Sequence, residues 1–212
     1  MKQILLIEDR TRRQQLFSAQ TGIKLENFND ILDNRIEDRY DEFLNEILQD
    51  NFDLSPYDII VSHKSAFGDN NGSVLKKLED HCREYGKSLV LFSGGIVGNY
   101  YNNEEYEELG LNSKTFYSQN LTLFLEAVKK QNGNLLMLCY GKEWKLNIML
   151  NVLEHLNRYI DTEIDDLLDK IDLDSLEQIG IECDKININD SMEKMIGFRE
   201  CLLKIIKGFA DE

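Results

Sequence analysis

The sequence predicts an α/β protein built on a buried parallel sheet, and three observations predict it. The apolar run at residues 4–7 leads straight into Glu8 and Asp9, and similar runs recur at 57–62 and 88–93. Such short, continuous apolar runs suit strands covered on both faces rather than strands with one wet side. Helix-period segments separate them, and that alternation favours parallel strands joined by right-handed crossovers.

The elements follow in order. Residues 11–20 read as a helix with Leu16 and Phe17 turned inward and Gly22 as its stop. Residues 23–28 alternate as a strand would. Residues 29–50 form a charged helical stretch, in which Ile31, Leu32, Ile36, Tyr40, Phe43, Leu44, Ile47 and Leu48 recur at three-or-four spacing. Pro56 introduces the strand at 57–62. Ser73 caps a helix over 74–85 that Gly86 ends. After the strand at 88–93 comes Gly94-Gly95, then a loop and a short acidic helix at 104–109. Residues 114–118 read as the next core strand, and Asn120 as the cap of a helix containing Leu121, Phe124, Leu125 and Val128. The apolar run at 135–140 supplies a sixth strand, and 144–159 an amphipathic helix.

From Asp161 the pattern becomes helical and acidic, with helices at 164–171, 173–179 and 192–209. Asp190 and Glu193 resemble a capping box for the last of these. The expected organisation is an α/β domain over 1–160 and an acidic helical extension over 161–212 packed on it.

Composition sets limits on function. The 212 residues are 42% hydrophobic and 30% charged, which is enough for a core. The net charge of −15 disfavours direct binding to nucleic acid or an anionic membrane. No apolar run reaches the length of a membrane span, and the N-terminus lacks a signal-peptide pattern. Cys82, Cys139, Cys183 and Cys201 are widely spaced with no CxxC pair, so reduced thiols in a cytoplasmic protein are expected.

A hydrophobic strand ending in two acids, a YDIIV strand and an LVLFS strand ending in a small hydroxyl residue occur in that order. This series resembles the receiver domain of two-component response regulators over about residues 1–130. The resemblance implies a flavodoxin-like, doubly wound sheet of order 2-1-3-4-5. It also implies a site at the strand ends, with Glu8 and Asp9 as a weak Mg2+ pair and Ser93 as the hydroxyl of the fourth strand. Where the family carries its phosphoryl-accepting aspartate, this chain has His63, with Ser62 beside it. Residues 116–119 offer no lysine for the end of the fifth strand, and Lys114 falls too early. Acceptor and counter-charge are both missing, and the expectation is a pseudo-receiver: a signalling protein working through protein–protein contact, with residues around 104–130 as its docking surface and no required cofactor.

Each candidate also has an ordinary explanation. Acids at strand ends are commonly solvated or cap helices. His63 lacks a carboxylate partner fixed in sequence. Ser93-Gly94-Gly95 lacks the spacing of a nucleotide loop and suits a tight turn. The competing functional expectation is a Mg2+- or nucleotide-dependent enzyme, or ligand-binding protein, whose site joins Glu8, Asp9, His63 and Ser93. The apolar helices at 144–159 and 192–209 leave room for a homodimer.

Overall fold

The computed structural model describes residues 3–36, 40–64, 72–162, Leu176 and 192–210. Two compact units result, Met1–Cys139 and Tyr140–Glu212, so the division falls before the change of pattern at Asp161.

The first unit is an α/β sheet structure. Its elements are β1 Ile4–Glu8, α1 Thr11–Thr21, a 3-10 turn Leu25–Phe28, β2 Leu32–Ile36, α2 Tyr40–Leu48, β3 Ile59–His63, α3 Gly72–Tyr85 and β4 Ser88–Ser93. After these come β5 Tyr100–Asn102, β6 Glu108–Asn112, α4 Ser113–Phe116, α5 Gln119–Lys129 and α6 Met137–Tyr140. The six strands lie in the order β2-β1-β3-β4-β6-β5. All neighbours are parallel except β5, which returns antiparallel on β6. The expected order thus changes at one edge, where a hairpin adds an outer strand.

β1, β3 and β4 are buried along almost their whole length, because helices cover both sheet faces. Alternation sends Leu5, Ile7, Ile60, Leu89 and Leu91 to one face, where they meet Phe43, Leu44 and Ile47 of α2 and Val74, Leu78 and Cys82 of α3. Glu8, His63 and Phe92 face the other way. There Phe92 stacks on Phe116 with ring centres 4.2 Å apart, and Tyr117 meets it edge-on at 5.5 Å.

Several local expectations change. Residues 25–28 form a 3-10 turn, and the second strand lies at Leu32–Ile36, inside the stretch expected to be helical. Only Phe17 of the Leu16–Phe17 pair is buried; Leu16 is half exposed. Ser73 sits within α3 rather than capping it. The acidic stretch at 104–109 leads into β6, and 114–118 lies in α4 and the turn after it. Ser118, not Asn120, caps α5 by accepting from the Asn120 amide. The 135–140 run coils into α6 rather than forming a sixth strand. Gly22 and Gly86, in the left-handed region at φ 72° and 59°, do end their helices.

The second unit contains α7 Trp144–Thr162 and α8 Met192–Ala210, which pack together. Ile148, Met149, Val152 and Leu156 of α7 and Met195, Phe198 and Leu202 of α8 are buried. The helices expected at 164–171 and 173–179, and the Asp190 cap, lie outside the described residues. No helix among the described residues is long and apolar enough to cross a membrane.

Candidate functional site

The carboxyl ends of β1 and β3 bring together three groups that the sequence singles out. Glu8 is the last residue of β1 and Asp9 follows it; His63 ends β3, the neighbouring strand. One donor atom from each of Glu8, Asp9 and His63 lies within 4.8 Å of the others. His63 Nδ1 stands 3.3 Å from Asp9 Oδ1, so the histidine does have a carboxylate partner. Its ring also meets the edge of Phe92 at 5.1 Å.

A fourth group lies between the two acids. Arg13, in the first turn of α1, places Nη1 2.6 Å from Glu8 Oε1 and 2.6 Å from Asp9 Oδ1. The Arg10 amide donates to Glu8 Oε1 at 3.0 Å, and the Tyr117 hydroxyl donates to Glu8 Oε2 at 2.7 Å. Charge-assisted bonds of this length are the strong class of protein hydrogen bond. Glu8 has no solvent exposure, so these donors take the place of water around it.

Burial and partners set the protonation. Burial pushes the Glu8 carboxyl up to about 7, and its hydrogen bond with Asp9 adds to the rise. Burial also raises Asp9, but hydrogen bonds from Glu8 and Arg13 outweigh it and hold that carboxyl down at about 2. Burial, helped by the Arg13 charge, lowers His63 to about 4. Near neutral pH the cluster therefore holds an anionic Asp9, a cationic Arg13, a neutral His63 and a Glu8 close to its midpoint.

Compared with family models, curated proteins and solved structures, the chain finds no match.

The remaining candidates lie apart from this cluster. Ser62 shares the sheet face of Ile60, away from His63, and its Oγ has no hydrogen-bond partner among the described residues. Ser93 has the same parity on β4 as Leu89 and Leu91, so alternation sends it to that face too. Its Oγ accepts the Gly95 amide at 3.2 Å, while Asn112 Nδ2 donates to the carbonyls of Gly94 at 3.4 Å and Ile96 at 2.8 Å. The Ser93-Gly94-Gly95 segment is a turn closed on itself.

Lys114 requires a correction. The fifth parallel strand is β6, which ends at Asn112 opposite Ser93, so Lys114 follows that end by two residues. It lines a groove of about 410 Å³ with Arg13, Leu16, Gln20 and Tyr117. A cation is therefore available at the fifth strand's end.

Arg13 had a readable signal that sequence reasoning passed over. It lies four residues after Asp9 at the start of a helix, the spacing at which opposite charges meet. Tyr117, 109 residues from Glu8 in sequence, had none.

The cluster fits magnesium poorly. That ion requires a near-octahedral set of oxygens, whereas here one donor is an imidazole nitrogen and a guanidinium bridges the two carboxylates.

Proposed function

We propose that this chain is a receiver-like, flavodoxin-type regulatory protein of the cytoplasm, which takes no aspartyl phosphoryl group and acts through contact with other proteins. The observation that carries this reading is Arg13, hydrogen-bonded to both Glu8 and Asp9. Receiver chemistry needs an acidic floor open to a metal and a carboxylate nucleophile above it. Here the floor is neutralised from within, and the nucleophile's position holds a histidine. Neither imidazole nor guanidinium can serve at once as acyl-phosphate acceptor and metal ligand.

The succession of parallel strands and Lys114 after β6 support kinship with receivers. The resemblance points to residues 104–130 for partner docking, a stretch containing β6, α4 and α5. The enzyme reading loses support, because it needs Ser93 beside Glu8 and His63.

Treating the full chain with acetyl phosphate and Mg2+ and then measuring the intact mass tests the proposal. The mass is expected to stay unchanged. A stoichiometric gain of one phosphoryl group would show a working acceptor and end this reading.

A further inference from the structure

We propose that Glu8, Asp9 and His63 form a site for a first-row transition-metal dication, and that Arg13 and this metal are alternative occupants of it. The donor set comes first. An imidazole nitrogen combined with carboxylate oxygens is a ligand set that zinc accepts and magnesium does not favour. His63 Nδ1 and Asp9 Oδ1 are 3.3 Å apart. A tetrahedral zinc with ligands about 2.1 Å away holds neighbouring donors about 3.4 Å apart, so this pair is already spaced for it. Glu8 lies within 4.8 Å of both and has at most about 1.4 Å to draw in.

The second observation is independent of donor identity: the two carboxylates already converge on a positive charge. Arg13 Nη1 lies 2.6 Å from an oxygen of each. A dication at that point offers the same oxygens twice the charge and takes a ring nitrogen of His63 as a third ligand.

The exchange also has a route. Glu8 and His63 form the floor, with side chains 0% and 3% exposed, whereas Asp9 and Arg13 are 18% and 20% exposed. An ion entering from solvent meets Asp9 and Arg13 before the other two. Once displaced, the guanidinium has the adjoining groove beside Leu16, Gln20 and Lys114 to occupy. Metal occupancy would therefore change the charge on that groove, which gives the site a means of reporting its state to a partner.

This inference does not depend on kinship with receivers. A phosphoryl adduct would refute the loss of phosphotransfer and leave the metal site standing, while absence of metal binding would do the reverse. Calorimetric titration of the full chain with Zn2+, and with Mg2+ for comparison, is the test. One saturable Zn2+ site is expected in the wild type, weakened about tenfold or more by His63→Gln and by Asp9→Asn, with Mg2+ much weaker throughout. Arg13→Gln is expected to tighten Zn2+ about tenfold by removing the competitor; a purely structural Arg13 predicts weakening instead. Thermal unfolding with and without Zn2+ reads the same binding where a variant is less stable. The unbridged Cys82, Cys139 and Cys201 make the site variants necessary, since thiols bind zinc too. Absence of saturable wild-type binding, or binding indifferent to His63→Gln and Asp9→Asn, overturns the site. Weaker binding by Arg13→Gln overturns the exchange.

Discussion

Glu8 and His63 are buried neighbours that give the fold opposite pH dependences. In the fold Glu8 holds its proton to about 7, against an ordinary 4.5. The folded chain thus binds a proton that the unfolded chain has released, and stability falls as pH rises from 4.5 to 7. His63 runs the opposite way: it titrates at about 4 in the fold against 6.5, so its contribution is lost as pH falls from 6.5 to 4. Each effect is worth about 3 kcal/mol, and across the shared window they nearly cancel. Asp9, held down at about 2, adds stability that is lost only as pH drops below its ordinary 3.8. Urea denaturation of the metal-free protein in chelator should therefore show nearly flat stability from pH 4.5 to 6.5. Glu8→Gln should expose a stability that rises with pH, and His63→Gln one that falls. Slopes of the same sign in both variants would disprove the pairing.

At the scale of elements, the strands that could be read from sequence are those with both faces buried. β1, β3 and β4 are apolar almost throughout, the pattern of strands covered on both faces. β2, with the sequence Leu-Asp-Asn-Arg-Ile, was hidden by its position at the sheet edge, where polar side chains are tolerated. Its Asp33 is buried, yet it accepts from Tyr57 at 2.6 Å and from Arg35 at 3.1 Å, partners no local pattern announces. The runs at 114–118 and 135–140 misled for the converse reason: a short apolar run fits a buried helical turn as well as a strand. β6 was masked by Gly110, a weak strand residue. Opposite it across the hairpin sits Tyr100, whose ring fills the missing side chain's place; a Cβ on Gly110 would lie 1.9 Å from that ring. Gly110→Val should therefore push Tyr100 off the sheet, breaking its 2.7 Å bond to Glu108 and costing about 1–3 kcal/mol. Stability measurements and the Tyr100 ring resonances would check this, and an unshifted Tyr100 would contradict it. Of the site, the acids and His63 were legible because they end strands, whereas the Arg13 bridge required knowing where α1 begins.

For the whole molecule, charge is the dominant property. A net charge of −15 on 212 residues means that the compact chain repels itself. Eleven of the acids lie at residues 161–190, where only Lys170 and Lys185 oppose them. Screening acts over about 10 Å at 0.1 M salt, so raising NaCl from low to moderate concentration should raise the melting temperature. A fall would mean that favourable surface ion pairs, such as Lys77–Asp50 and Lys87–Asp58, outweigh the repulsion.

The two borders of the sheet also restrict how any partner can attach. The outermost ribbon on one side, β5, is three residues long. On the other side β2 carries the polar run Asp33-Asn34-Arg35, of which Arg35 is exposed. The first gives an incoming extended peptide little backbone to zip onto, and the charge of Arg35 at the second discourages edge-to-edge pairing of one molecule's sheet with the next. A protein partner of the kind proposed would thus be directed to the helices and turns, and the same features guard the sheet against fibrous self-assembly.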